Sequence, residues 1–195
     1  MDRRLLSWGH AIAWRHRRPA VPVLWLFTDS VRLPDPRPAV ASLPKRISGV
    51  VFRHDDAPDR AALGRDLARI CRAHQLTLVV AGDPRLAAVL GAGVHLREGR
   101  WPGVVRPRYR LVTSSAHSAV QLRRARHAGA RLAFLSPVFA TASHPGARAL
   151  GPHQWAELAR RAGIAVAALG GIDGQSVRRL PRSLCRGIGA IGALI

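Results

Sequence analysis

The chain is expected to fold as a single α/β domain, a (β/α)8 TIM-type barrel, and three observations predict it. Eight short apolar runs alternate with helical patterns along its 195 residues. The runs are near-continuous in apolar character, as strands covered on both faces are. Eight is also the number of parallel strands that closes a ring. An open doubly wound sheet would need a Gly-x-Gly-x-x-Gly turn after an early strand, and none occurs.

In order, the strands are read at 23–27, 49–53, 76–81, 93–96, 110–114, 132–139, 165–172 and 187–195. Between them, 60–74 has Leu63, Leu67, Ile70 and Cys71 on one helical stripe, and 117–128, 152–162 and 175–180 are also read as helical. Ala128-Gly129 and Ala162-Gly163 supply the glycine that commonly follows a helix. The last run leaves no eighth helix, and residues 1–20 are expected to compensate. Leu5, Trp8 and Ile12 share one face of a helix over 3–16, with Arg3, Arg4 and Arg15 left for solvent. That helix should precede the first strand and pack beside the first and last. The competing reading is a basic surface helix for membranes. The domain is therefore taken as 1–195, an N-terminal helical segment at 1–20 and a barrel at 23–195.

Composition narrows the function. Basic residues number 31 against 11 acidic ones, a net charge of +20. Only Lys45 is lysine, which points to compositional bias as much as to a partner. Interleaved aromatics and recognition modules are absent, so no specific nucleic-acid role is expected. Small phosphorylated ligands match the sign of the charge. No run approaches the ~20 apolar residues of a membrane span, and the N-terminus lacks the apolar core of a secretory signal. A cytoplasmic protein is expected, with homo-oligomerisation left open. Cys71 and Cys185 lack metal or redox spacing and read as buried apolar residues.

In such a barrel chemistry sits just past the strands. Those positions offer Thr28-Asp29, then Arg53 with His54, Asp55 and Asp56, then Asp83. The fourth and fifth strands add His95, Arg97, Glu98, Ser115 and His117, and the loop after the sixth adds Thr141, Ser143 and His144. Asp56, Asp83 and Ser115 read equally well as helix caps, and His95 as a satisfied core histidine. Arg53, His95, Ser115, His117 and His144 are the catalytic candidates. Gly170-Gly171 and the segment Ala190, Ile191, Gly192 offer bare backbone where these barrels hold phosphate, and with Thr141 and Ser143 they form the candidate phosphate site. The competing reading of the glycines is tight barrel packing.

Several motifs resemble the thiamine-phosphate synthase and thiazole tautomerase family. They are Leu24-Trp25-Leu26-Phe27-Thr28-Asp29, Gly93-Val94-His95-Leu96 and Ser115-Ala116-His117-Ser118, followed by Ser136-Pro137-Val138-Phe139-Ala140-Thr141. Ala168-Leu169-Gly170-Gly171-Ile172 and Gly187-Ile188-Gly189-Ala190-Ile191 complete the order. The likeness runs from about Val23 onward. It implies a barrel that binds a thiazole phosphate at the glycines of the last two strands. In the synthase, a pyrimidine diphosphate loses pyrophosphate and the thiazole nitrogen attacks the cation, with magnesium held by two aspartates.

The departures are specific. Of the family's Gln-x-Arg-x-Lys only Arg53 remains, with Val51 and Asp55 in the other places. The Asn-Asp pair falls on Ala81-Gly82, the second magnesium aspartate near Arg100, and a lysine on His144. Asp83 and Glu98 are the only candidates for a displaced metal site, so magnesium counts as doubtful. The tautomerase histidine falls on Pro137. Three functions stay open: a synthase-like protein of thiamine metabolism with altered catalysis, a tautomerase-like enzyme on a phosphorylated heterocycle, and a non-catalytic phosphate-binding barrel.

Overall fold

The computed structural model describes residues 1–16, 20–103, 109–141, 146 and 148–195. Eight parallel strands close a barrel in sequence order: β1 (Leu24–Phe27), β2 (Ser48–Phe52), β3 (Thr77–Ala81), β4 (Gly93–Leu96), β5 (Val112–Ala116), β6 (Leu132–Leu135), β7 (Ala165–Leu169) and β8 (Cys185–Ala190). The six helices among the described residues are α1 (Arg3–Arg15), α2 (Arg37–Ala41), α3 (Arg60–Ala73), α4 (Pro84–Leu90), α5 (Ala119–His127) and α6 (Gly151–Arg161).

Alternation along the strands divides the core in two. Leu24 and Leu26 of β1 pack outward among the helices, whereas Trp25 and Phe27 enter the barrel with Val51, Val79 and Phe134. Large inward rings need small neighbours. A Cβ on Gly49 would stand 2.5 Å from the Trp25 ring, and one on Gly189 2.6 Å from Phe27. The rings meet edge to face, Trp25 and Phe134 at 5.5 Å and Phe27 and Phe134 at 4.8 Å between centroids.

The N-terminal helix forms as its pattern predicts. Asp2 caps it, accepting from the Arg4 and Leu5 N–H groups at 2.8 and 3.3 Å. Leu5, Trp8 and Ile12 are buried, and Gly9 lets α1 lie directly on Leu24 of β1 while the helix also contacts β8. Gly129 and Gly163 follow α5 and α6 in left-handed conformations.

Several boundaries differ from the sequence reading. The sixth strand stops at Leu135 because Pro137 has no N–H to continue the ladder. Its loop still follows β7, Val138 donating to the Leu169 carbonyl at 2.9 Å. The eighth strand begins at Cys185 and ends at Ala190, and a 3-10 turn at Gly192–Leu194 follows it. The fifth strand runs on to Ala116 because Ser115 and Ala116 still pair with Phe134 and Leu135. The segment read as a helix at 175–180 is a 3-10 turn, Ser176–Arg179. The short helices α2 and α4, of five and seven residues, span too few turns to show a period. Both cysteines are buried and free, their thiols pushed up to about 12 by burial. No described helix is long and apolar enough to cross a membrane.

Candidate active site

The C-terminal ends of the strands open into a cavity of about 1090 Å3. Strand order alone brings its wall together, since β7, β8, β1 and β2 are consecutive around the ring. Gly170, Gly171, Ala190, Ile191 and Gly192 line one side, with Thr141 beside them. Arg32, Arg53 and His117 also line the cavity. Ser143 and His144 lie outside the described residues.

The glycines serve two different ends. Gly170 and Gly171 have φ of 91° and 65°, and a Cβ on Gly171 would stand 2.4 Å from the Ala140 carbonyl oxygen. Packing against the β6 loop therefore demands them. A Cβ on Gly192 meets nothing within 4 Å, so its bare backbone is not imposed by packing. Among the described residues, the N–H groups of Gly171, Gly192 and Ala193 donate to no protein acceptor. The wall thus offers unsatisfied donors next to open space, the chemistry that anions use.

Asp2, which sequence reasoning did not single out, ties this wall together. Its carboxylate accepts from Gly174 N–H at 2.7 Å, and its own N–H donates to the Ala193 carbonyl at 3.1 Å. Burial acts to raise its pKa, but the N–H groups of Gly174, Arg4 and Leu5 prevail and the net shift is downward. A capping Asp is readable before Arg3; a bond across 172 positions is not.

The adjoining part of the rim is fixed by β1 and β2, β1 pairing directly with β8. Thr28 Oγ1 accepts from Arg53 N–H at 2.9 Å and lies 3.0 Å from His54 Nδ1. His54 is buried, its Nε2 near the Leu33 carbonyl, and so anchors the β1–α2 loop. Asp29 is held below the usual carboxylate range by the Arg32 N–H, aided by Val31 and the Arg32 and Arg53 charges, although burial opposes this. Arg53 itself pairs with no carboxylate among the described residues.

His117 Nδ1 lies 2.8 Å from the Ser136 carbonyl oxygen and 3.3 Å from the Ser136 Oγ. The carbonyl can only accept, so the shorter contact favours the neutral tautomer that carries its proton on Nδ1. The lone pair is then on Nε2, on an exposed ring that lines the cavity.

Two other candidates are not brought to this cavity. His95 is buried, with Nδ1 2.9 Å from Thr113 Oγ1 and its ring edge-on to Phe27. Burial, reinforced by Arg53 and Arg97, pushes its pKa down to about 3. Ser115 accepts from Glu98 N–H at 3.1 Å and shapes the turn after β4.

The corner after β3 and β4 is built differently. Arg60 donates to Asp55 at 3.0 Å, to Asp83 at 3.2 Å and to the Ala81 carbonyl at 2.9 Å. Arg97 pairs with Asp55 at 2.6 Å, and its guanidinium lies about 3.5 Å from where a Gly82 Cβ would stand. The other Asp83 oxygen caps α4 through Leu86 N–H. Neither Asp83 nor Glu98 lines the cavity at this corner. Among the described residues no cluster of three His, Cys, Asp or Glu side chains could hold a metal. Magnesium requires several hard oxygen ligands, and the residues at Ala81, Gly82 and Arg100 supply none, so the donor set does not fit it.

Comparison with known proteins gives this geometry a context. The family model described as thiamine monophosphate synthase matches residues 35–194. A protein of Aquifex aeolicus provisionally named thiamine-phosphate synthase 2 is 31% identical over 159 residues, covering 78% of this chain and 86% of that one. The thiamine-phosphate synthase of Chromobacterium violaceum is 34% identical over 147 residues, 71% of this chain and 70% of that one. Among solved structures, thiamine phosphate pyrophosphorylase from Pyrococcus furiosus shares the fold with a TM-score of 0.75 at 24% identity, covering 91% of this chain and 88% of that one. From the matched span and these relatives together, the chain belongs to the thiamine monophosphate synthase family.

Proposed function

We propose that the mouth cavity binds a phosphorylated thiazole and that the chain does not carry out magnesium-assisted thiamine-phosphate synthesis. The observation that carries the first half is the set of unsatisfied N–H groups at Gly171, Gly192 and Ala193, all on one cavity wall. A phosphate seated there would take these donors, with Arg53, which also lines the cavity, free to supply charge. The second half rests on the rebuilt β3–β4 corner, where guanidinium groups and already paired carboxylates stand in place of metal ligands.

Calorimetry with hydroxyethylthiazole phosphate tests the binding, using Gly192→Val as the probe. A Cβ at this position meets nothing within 4 Å, so the variant is expected to keep its fold. Losing even one charge-assisted hydrogen bond, about 1.5–3 kcal/mol, should weaken binding about tenfold or more. Equal affinity in the folded variant would refute the site.

A second reading, proton transfer on the bound heterocycle, is favoured by the His117 tautomer. Nε2 is the free basic nitrogen at the cavity, as a general base must be. Exchange of solvent deuterium into a thiazole carboxylate phosphate measures it. His117→Gln keeps a polar side chain but cannot accept the proton, and should slow exchange by about 10²-fold or more. Exchange at the wild-type rate in that variant would remove His117 from the chemistry.

A further inference from the structure

We propose that the opposite, N-terminal face of the barrel carries a second ligand site, suited to a small phosphorylated molecule with a flat or apolar body. A cavity of about 590 Å3 opens there, where Val21 leads into β1, Arg131 into β6, Ile164 into β7 and Leu184 into β8. Its size is that of a small-molecule pocket. Val21, Ile164 and Leu184 give it an apolar floor, and Arg131, Arg160, Arg186 and His16 give it a basic rim with no acidic residue among the lining.

The charge here is uncompensated, unlike that of the β3–β4 corner. Arg160 pairs with Glu157 at 2.6 Å, but among the described residues Arg131 and Arg186 reach no carboxylate. Arg186 instead donates from Nη1 to His16 Nδ1 at 2.6 Å. A guanidinium set against an imidazole places two basic groups side by side, with no carboxylate paired to either among the described residues. Burial, then Arg186 and Arg15, lowers the His16 pKa accordingly. A phosphate dianion between Arg131 and Arg186 would neutralise this rim through bidentate contacts, while the body of the ligand covered the apolar floor. Nucleic acid is the less suitable occupant, because the lining offers no Phe, Tyr or Trp on which bases would stack.

The test follows the His16 ring protons by NMR while phenyl phosphate, inorganic phosphate or a short single-stranded RNA is added at constant ionic strength. We expect a saturable one-to-one shift with phenyl phosphate, weaker binding of inorganic phosphate, and a rise in the His16 pKa on saturation. Arg186→Ala and Arg131→Ala should each weaken phenyl phosphate about tenfold, whereas Arg85→Ala on α4 should not. A shift that never saturates, unchanged affinity in both rim variants, or equal losses in all three variants would overturn the site. Preferential binding of RNA over phenyl phosphate would replace it with a nonspecific polyanion surface.

Discussion

The two sides of the barrel mouth use opposite means to meet charge. At β7 and β8 the protein withdraws its side chains and leaves the backbone N–H groups of Gly171, Gly192 and Ala193 without an acceptor among the described residues. At β3 and β4 it fills the space with side chains that satisfy one another, Arg60 and Arg97 against Asp55 and Asp83. The first wall has unspent capacity for an anion; the second has largely spent its own.

The largest test of this contrast is the transfer reaction itself. Thiamine-phosphate formation from both substrates should show no rise on titration with magnesium. Each absent ligand should cost on the order of 10²-fold if it resembles a missing oxyanion donor. Asp83→Ala and Glu98→Ala should leave whatever turnover exists unchanged. Robust magnesium-dependent turnover abolished by either substitution would place a working metal site at the corner and erase the contrast.

A smaller effect separates packing from binding on the glycine wall. Gly171→Val must place its Cβ against the Ala140 carbonyl at a φ of 65°. Its destabilisation should be about 2 kcal/mol or more in urea unfolding, whereas Gly192→Val should stay within about 0.5 kcal/mol. Equal losses would mean that both glycines serve packing alone.

A further effect, spread over several pH units, concerns a polar group buried inside the barrel. His95 has its pKa depressed to about 3 from an unfolded value of 6.5. The unfolded chain therefore binds the proton first, and stability should fall as pH drops from about 6.5 toward 3. The slope approaches 1.4 kcal/mol per pH unit at most. Above pH 6.5 the residue contributes no pH dependence. Urea unfolding of wild type and His95→Gln between pH 7 and 4 should show a shallower decline in the variant. Parallel curves would mean that His95 is protonated without cost.

How much the sequence disclosed depended on whether a signal was local. The fourth strand is read with its observed bounds because Gly93 opens it and Arg97 closes it. The sixth and eighth overrun because Val138, Phe139 and Ile191 continue the apolar run after the ladder has ended. Gly171 and Gly192 are legible as bare backbone while Ala193 is not, and packing glycines such as Gly189 look the same until Phe27 is seen against them. His117 is legible as a candidate base, and its tautomer is not, since that depends on a carbonyl from another strand. His95 and Ser115 lie at the right positions in the chain and still miss the cavity. The inward direction of the first buries it, and Glu98 N–H occupies the second.

The Asp2 contacts give the barrel a property that belongs to neither terminus alone. One residue holds Gly174 after β7 and Ala193 after β8 while it starts α1. Docking of the first helix and placement of the loops after β7 and β8 therefore depend on one and the same residue. By reciprocity, whatever factor α1 docking adds to ligand affinity, bound ligand must add to α1 docking. If the proposed ligand binds that wall, the helix beside β8 becomes a reporter of the pocket, and its protection from hydrogen exchange should rise with occupancy.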